Sequence, residues 1–318
     1  MDEKRMKQFG FKIINGCLFH SQAHFDTLEK IHTLPMREDD IVISSYPRSG
    51  THWVGSMVHL ILHSDDLHAA NNVHVHDRFT WLDIPKQMLS GEIGLKDVNK
   101  QHGNFQFDTF TSLPSPRIFV SHLGYPFMPR GITDGTCKLV VVMRNPKSVL
   151  CSISHMFKSF QGGAEVSEAD FRTLDNILDD NLTQQNDRFV YGTWFNHLSG
   201  FWAQKDHLKV LFIKYEDMVN DLAESVTKTA EFLEKDLTEA EKDNIVEHLT
   251  FNKMRNNPKT GKVFETIKER SGHDNSAGHM RKGVIDDWKD NLTVSQSERI
   301  DSFLQDKIQK LGLEFQYE

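Results

Sequence analysis

The sequence has few cysteines, no long hydrophobic run and no excess of positive charge. Its three cysteines, Cys17, Cys137 and Cys151, are too few for a disulfide framework and indicate a reducing compartment. The longest apolar runs, such as residues 139–143, are far shorter than the ~20 residues that a membrane-spanning helix needs. The charged N-terminal residues 1–20 lack the apolar core of a signal peptide. We therefore expect a soluble, cytoplasmic protein.

The charge balance argues against nucleic acid as the main partner. The 318 residues carry a formal net charge of −8, whereas nucleic-acid binding needs a broad cationic face. A local cationic pocket for a small anion remains compatible with this charge. We find no internal repeat and no low-complexity linker, so we expect a single domain over residues 1–318.

Short runs rich in valine and isoleucine alternate with helical patterns along the chain. The strand candidates are residues 41–45, 117–121, 138–143 and 208–215. Helical spacing covers residues 222–235, 238–249 and 294–312, and the second of these opens with a capping box from Thr238 to Glu241. This order predicts an α/β fold, a single domain with a central, mostly parallel sheet flanked by helices.

A strand, a polar loop and a helix follow one another over residues 39–64, "DDIVISSYPRSGTHWVGSMVHLILHS". The first N–H groups of a helix have no partner within it, and the helix dipole favours an anion there. Arg48 and the hydroxyls of Ser49 and Thr51 add donors, so the pattern predicts a P-loop-like phosphate-binding loop. The G-x-x-x-x-G-K-[ST] spacing is missing, and a plain turn with Thr51 as N-cap is the alternative.

The strand predicted at residues 138–143 ends in Arg144, where a P-loop NTPase typically has an acid that helps to hold Mg²⁺. Asn145 and Pro146 are suited to the cap and first position of the next helix. Two strand ends therefore offer positive charge and hydroxyls, which suits a ligand with two separated anionic groups and no obligatory metal. A further basic cluster, "HMRKG", ends the irregular segment 255–283, a predicted lid or disordered loop.

With these pieces in place, the sequence resembles the cytosolic sulfotransferases, which use 3'-phosphoadenosine 5'-phosphosulfate as donor. The resemblance covers almost the whole chain. It rests on an ordered series of fragments: "YPRSGTHW", "RNPKSVLCS", "GTWFNHLSGFW", "KYEDM", "FLEK", "TFNKMRNNP" and "RKGVIDDWKDNLT".

The resemblance implies a donor site assembled from several segments. The residues that it assigns to the 5'-phosphosulfate are Arg48, Ser49, Gly50, Thr51, His52 and Trp53, with Trp53 near the adenine. Within segment 138–158 it assigns Arg144 and Ser152 to the 3'-phosphate. The other residues that it implies in nucleotide binding are Phe195, Leu249, Phe251, Met254, Met280, Arg281, Lys282 and Gly283. No metal is expected.

The resemblance also assigns catalytic roles, to His122 in "RIFVSHLGYP" and to Arg48. An imidazole with a pKa near 6.5 can take the proton of an attacking hydroxyl at neutral pH. Without the motif series, His122 would be one of 17 histidines with a surface or capping role. Phe79 and Trp81 are the candidates for an apolar acceptor pocket, although core packing explains them equally well. The acceptor stays open among phenols, steroids, bile alcohols and amines.

Some positions depart from the family pattern and keep alternatives open. The departures are Arg48 for lysine, His52 for threonine, Val120 for lysine, Phe195 for tyrosine, Leu249 for threonine and Asp286 for glycine. They motivate a second hypothesis, a catalytically weak protein that binds nucleotide or a hydrophobic ligand. An ATP-dependent small-molecule kinase lacks the expected lysine spacing and metal-binding acid, and a Golgi carbohydrate sulfotransferase would need a membrane anchor.

Residues 289–298, "KDNLTVSQSE", match the K-x-x-x-T-V-x-x-x-E dimerisation segment of the family. The resemblance therefore implies a homodimer. The alternative is an ordinary helix start with Thr293 near the cap.

Overall fold

The computed structural model describes residues 11–20, 25–84, 107–159, 173–185, 187–262 and 280–318. Its main sheet has five parallel strands in the order β4-β5-β3-β6-β7, and β1 and β2 pair separately as an antiparallel hairpin. The strands are β1 (Phe11–Ile14), β2 (Cys17–His20), β3 (Ile41–Ser45), β4 (Thr80–Trp81), β5 (Ile118–Ser121), β6 (Lys138–Met143) and β7 (Val210–Lys214).

Helices cover both faces of this sheet. In the described residues they are α1 (Phe25–His32), α2 (Thr51–Leu62), α3 (Leu67–Asn72), α4 (Val75–Arg78), α5 (Phe107–Phe110), α6 (Arg130–Thr133), α7 (Pro146–Ser159), α8 (Leu174–Asn181), α9 (Trp194–Trp202), α10 (Tyr215–Asn220), α11 (Leu222–Phe232), α12 (Glu239–Leu249), α13 (Phe251–Asn256) and α14 (Val294–Lys310). Short 3₁₀ turns lie at Ser64–Asp66, Tyr125–Phe127 and Asp287–Asp290. Within the described ranges, no helix is both long and apolar enough to cross a membrane.

The central strands are buried on both faces, because their side chains alternate between two apolar layers. In β6, Leu139 and Val141 belong to the layer with α7, α9 and α14, whereas Val140 and Val142 belong to the layer with α2, α11 and α12. A strand covered on both faces reads as a continuous apolar run rather than an alternating one. This explains why β3 and β6 have the bounds that the sequence predicts.

The fold class predicted from the sequence is confirmed, with one addition and some shifts. The β1–β2 hairpin was not predicted, although Asn15 and Gly16 both have positive φ and form the two-residue turn typical of a tight hairpin. The predicted strands at 117–121 and 208–215 are shorter in the structure, at Ile118–Ser121 and Val210–Lys214. Of the predicted irregular segment 255–283, residues 263–279 lie outside the described residues.

A buried ion pair joins two strands at the amino edge of the sheet. Asp40 precedes β3 and Arg117 precedes β5, and Arg117 Nε donates to Asp40 Oδ1 at 2.7 Å. The two side chains are almost completely buried. Arg117 also donates to the carbonyls of Phe110 and Pro35, at 3.0 and 2.9 Å. Removal of one partner would leave the other charge buried without compensation.

We predict that Arg117→Met lowers the free energy of unfolding by about 3–5 kcal/mol, the usual effect of breaking a buried pair. The matched control is Arg299→Met, because Arg299 forms an exposed pair with Asp179 and its loss should cost about 0–1 kcal/mol. Denaturant unfolding followed by circular dichroism measures both. Equal losses in the two variants would show that burial adds nothing to the first pair.

Candidate functional site

The loop after β3 turns sharply into α2 at Gly50. Gly50 is the N-cap with φ of 108°, and a Cβ there would lie 3.0 Å from Cδ2 of Tyr215. Glycine is therefore needed both for the backbone conformation and for the close approach. Thr51 is the first helical residue rather than the cap, and its hydroxyl lies 2.5 Å from Ser45 Oγ. The first turn of α2 contains no acidic residue, so the N–H groups at this helix start are in a setting that favours an anion.

Two arginines lie beside this loop. Arg48 has φ of 71°, and its Nε donates to Ser152 Oγ of α7 at 3.0 Å. Arg144 follows β6, donates from Nη1 to the Arg48 carbonyl at 3.0 Å, and lies 4.0 Å from the centre of the Tyr215 ring. The structure thus brings Arg48, assigned to the 5'-phosphosulfate, next to Ser152, which was assigned to the 3'-phosphate.

The positive charges in this cluster act on one another. Burial, together with the neighbouring cations Arg144 and Arg281, lowers the pKa of Arg48 to about 10. Burial also lowers the pKa of Arg281, and the positive charge of Arg144 acts in the same direction. Both shifts mean that burial and mutual repulsion disfavour the charged guanidinium groups. A bound anion would stabilise these charges.

Two polar atoms in the cluster are buried without a hydrogen-bond partner among the described residues. They are the hydroxyl of Ser49 and Nε of Arg144. A buried donor without a partner costs about 1–3 kcal/mol. Such atoms, next to a helix N-terminus and permanent cations, are the donor set that a phosphate or sulfate ligand requires.

In the basic loop, residues 281–283, both cations contact the carboxylate of Asp287. Arg281 Nη1 donates to Asp287 Oδ1 at 2.9 Å, and Lys282 Nζ lies 2.7 Å from the same oxygen. Gly283 has φ of 72°, and a Cβ there would lie 2.3 Å from Cδ2 of Phe251. The loop is therefore fixed by two ion pairs and by a backbone contact with an aromatic ring.

An apolar wall continues from this loop towards α2. Trp53 Nε1 donates to the Leu249 carbonyl at 2.9 Å, and the Trp53 and Tyr215 rings meet edge to face at 5.4 Å. Trp53 and Met280 pack on the same apolar cluster, which contains the buried Leu249 and Met254. These are residues that the resemblance assigns to nucleotide binding, with Trp53 near the adenine.

One residue assigned to the nucleotide has a different neighbour. The Phe195 ring lies 5.6 Å from Lys307 Nζ on α14 and packs on the opposite apolar layer. Its role towards the nucleotide remains a prediction.

His122 follows β5, and its ring is oriented by the end of β3. Nδ1 lies 2.8 Å from the Ser45 carbonyl oxygen. The ring packs against Trp81, at 4.9 Å between centroids, and against Tyr191, at 5.6 Å. Burial lowers the pKa of His122, while Asp83 and the bond to Ser45 act in the opposite direction. Ser45 therefore links the imidazole to Thr51 and to the loop after β3, residues 46–50, which we call the anion loop.

The two acceptor candidates are buried next to α2. Phe79 contacts Gly55, where a Cβ would lie 2.5 Å from its ring. The His52 ring lies 5.7 Å from both Phe79 and Trp81, and burial lowers the pKa of His52 to about 3. Phe79 and Trp81 thus reach His122 through one aromatic cluster.

Sequence reasoning missed three residues of this site. Tyr215, within the quoted fragment "KYEDM", contacts Gly50, Trp53 and Arg144. Asp83 and Tyr191 lie beside His122. A single polar residue after a two-residue strand gives no sequence pattern. The position of Asp83 beside His122 therefore becomes visible only in the folded structure.

A family model for the sulfotransferase domain matches residues 38–312. The chain belongs to the sulfotransferase family. It is 33% identical over 316 residues to a rabbit protein named amine sulfotransferase, covering 99% of this chain and 95% of the relative. It is 29% identical over 321 residues to human sulfotransferase 1C2, covering 97% and 96% of the two chains.

Solved structures share the fold. A crystal structure of retinol dehydratase with androsterone and the inactive cofactor PAP has a TM-score of 0.79 at 22% identity, covering 99% of this chain and 96% of that one. Mouse sulfotransferase SULT7A1 complexed with PAP has a TM-score of 0.65 at 24% identity, covering 94% and 95%.

The sulfotransferase transfers a sulfuryl group from 3'-phosphoadenosine 5'-phosphosulfate to a small-molecule acceptor. The resemblance predicted from the sequence is therefore confirmed, and an enzyme is favoured over a binding protein. The residues present fit this donor. Ser49 and Arg144 offer unpartnered buried polar atoms, and a side chain at Gly50 would narrow the loop.

We predict that Arg48→Met weakens binding of the desulfated nucleotide about 10- to 100-fold, since a hydrogen bond to a charged group contributes about 1.5–3 kcal/mol. The thermal midpoint of the ligand-free protein should not fall, because the variant removes repulsion with Arg144 and Arg281. Calorimetric titration and differential scanning calorimetry measure the two effects, with Arg299→Met as control.

Both titrations are repeated in EDTA. Wild-type affinity should not change on chelation, because the charges of the site are supplied by arginines. A lower thermal midpoint with normal affinity in Arg48→Met would contradict an anion-binding role.

Proposed function

We propose that His122 is the general base of this sulfotransferase and that the acceptor is a hydroxyl or amine of a small, apolar molecule. The donor supplies the sulfuryl group when bound. The chain's own residues orient the acceptor, exclude water and take up its proton. Arg48 is proposed to act on the charge that develops at the sulfuryl group.

The hydrogen bond from His122 to Ser45 carries this proposal. A carbonyl oxygen can only accept, so Nδ1 must hold the ring proton. In the neutral imidazole the lone pair is then on Nε2. Burial lowers the pKa of His122, which keeps the ring neutral at physiological pH. A neutral ring with a free Nε2 is the form that a general base requires.

The surroundings of the imidazole support an apolar acceptor. The buried Trp81, the Tyr191 ring and the buried Phe79 form one aromatic cluster with His52 beside it. Aromatic side chains of this kind line ligand sites with few polar groups. A relative named amine sulfotransferase, at 33% identity, supports an amine as one acceptor class.

The donor is proposed to lie across the loop after β3, the start of α7 and the basic loop. The residues proposed to bind it are Arg48, Ser49, Gly50, Thr51, His52, Trp53, Arg144, Ser152, Phe195, Leu249, Phe251, Met254, Met280, Arg281, Lys282 and Gly283. The buried hydroxyl of Ser49 and the mutual effect of the arginines support this set.

We predict that His122→Ala lowers the rate of single-turnover sulfuryl transfer about 10²- to 10⁴-fold, or about 3–5 kcal/mol of barrier. Nucleotide affinity should change much less, because the proposed phosphate ligands lie on other segments. The control is His207→Ala, an exposed histidine. Rapid-quench kinetics and calorimetric binding separate the two effects. Near-normal turnover in His122→Ala would refute the proposed base.

We further propose that the protein is a cytoplasmic homodimer joined through residues 289–298. Val294 is 75% exposed in the single chain, the highest value among the large hydrophobic side chains of the described residues. It is the first residue of α14, directly after a capping box in which Thr293 and Gln296 bond each other's backbone N–H. The helix start is thus ordered and presents an apolar side chain outward, which supports a contact with a second copy.

Val294→Glu should convert the dimer to monomer, because it would bury an unpaired charge between the chains. The folded monomer should keep its stability, since an acid in the first turn of a helix is favourable. Sedimentation at micromolar concentration measures the state, and Ile13→Glu, at another exposed apolar residue, is the control. A wild-type protein that is already monomeric would rule out the dimer.

A further inference from the structure

We propose that Asp83 is the positioning residue of His122. Its carboxylate holds the segment that carries the imidazole and balances the positive charge that forms when Nε2 takes a proton. This inference rests on the proposed function, in which His122 is the base.

Asp83 reaches His122 from the neighbouring strand. Strands β4 and β5 are parallel, with Trp81 opposite Val120, so the residues that follow them meet at the same sheet edge. The His122 backbone N lies 3.2 Å from Asp83 Oδ2 and 3.3 Å from Oδ1. The carboxylate therefore spans the N–H at the base of the histidine side chain.

Further donors point at the same carboxylate. The Tyr191 hydroxyl and the Ser121 side chain both hydrogen-bond to Asp83. Ser121 Oγ also accepts from the Leu123 N–H at 3.0 Å, which leaves its own hydrogen for the carboxylate. Burial raises the pKa of Asp83, while these donors and His122 oppose that change. These hydrogen bonds stabilise the ionised form of the buried Asp83 carboxyl.

Tyr191 is held in an unusual conformation at this point. Its φ is 67°, a left-handed value that is rare for a bulky residue. Its ring lies 5.6 Å from the His122 ring, so one residue contacts both the imidazole and, through its hydroxyl, the carboxylate. Such backbone strain persists where the surroundings fix the residue, which fits a role in orienting the site.

The charge balance explains what the carboxylate would do. His122 faces Arg48, whose charge disfavours an imidazolium, and the neutral rings of His52 and His197 are also within electrostatic reach. The negative charge of Asp83 acts in the opposite direction, as does the hydrogen bond to Ser45. An electron pair of the acceptor oxygen or nitrogen forms the new bond to sulfur, and the bond between sulfur and the bridging phosphate oxygen breaks. The desulfated nucleotide leaves with the electron pair of that bond, and the acceptor's proton bonds to Nε2 of His122. The imidazolium and the carboxylate then form a pair of zero net charge.

The test compares the pH dependence of kcat/KM in Asp83→Asn, Asp83→Glu and Tyr191→Phe with wild type. Loss of the charge in Asp83→Asn should lower the pKa of His122 and weaken the base. The acid limb should therefore move to lower pH, and the plateau rate should fall about 10- to 100-fold, the range measured for outer partners of metal-bound histidines. Asp83→Glu should recover part of the rate.

Tyr191→Phe should move the acid limb in the opposite direction. It removes a hydrogen bond that stabilises the Asp83 carboxylate, so the negative charge acts more strongly on the imidazolium and raises the pKa of His122. The control, Asp65→Asn, changes an exposed acid in the 3₁₀ turn after α2 and should leave the profile unchanged. Thermal unfolding and nucleotide binding are measured for each variant. If Asp83→Asn does not fold, the test rests on Tyr191→Phe. A shift of its acid limb to higher pH supports the role of Asp83, and no shift or a shift to lower pH contradicts it.

The outcomes separate this inference from the proposed function. Normal turnover in His122→Ala overturns the base itself. A loss in His122→Ala together with unshifted limbs in Asp83→Asn and Tyr191→Phe leaves the base in place and overturns the role of Asp83. A lower plateau with an unshifted limb also overturns it, because a purely structural acid changes rate without changing the titration.

Discussion

The parallel direction of the main sheet determines where the chemistry lies. Parallel strands end at the same edge, and ligands of open α/β sheets bind there. Asp83, His122, Arg48, Arg144 and Tyr215 each follow a different strand, β4, β5, β3, β6 and β7. The register between β3 and β5 pairs Ser44 with Ser121, so the end of β3 lies close enough to hold the imidazole after β5. A shift in that register would separate the base from the anion loop, whatever the residues at either position.

Much of the sheet could be predicted because buried parallel strands have a simple signature. Strands β3 and β6 each contain an unbroken apolar run, residues 41–43 and 139–143, and both strands have the predicted bounds. The β1–β2 hairpin escaped prediction, since its Asn15–Gly16 turn joins short strands that mix charged and apolar residues. Strand β4 has two residues, which is too short for any periodicity. Its existence depends on pairing with β5, a contact between residues about forty positions apart.

The candidate site also has parts that could be predicted from the sequence and parts that could not. The anion loop and the helix after Arg144 could be predicted because helix starts have local rules, and Asn145 caps α7 by accepting from the Ser148 N–H at 2.8 Å. The partners of these groups could not be predicted. Tyr215 approaches Gly50 from the end of β7, two strands away from β3, and Tyr191 approaches His122 from a separate segment. Such contacts follow from tertiary packing, on which local spacing has no bearing.

The capping box before Val294 has a consequence for association. Thr293 and Gln296 satisfy each other's backbone N–H groups, so the first turn of α14 is ordered before any partner arrives. A partner that covers this turn does not have to freeze a fraying helix end, and valine itself has few rotamers to lose. Preorganisation of this kind allows a small contact area to bind with useful affinity. The exposed valine on a rigid helix start is therefore suited to a compact interface.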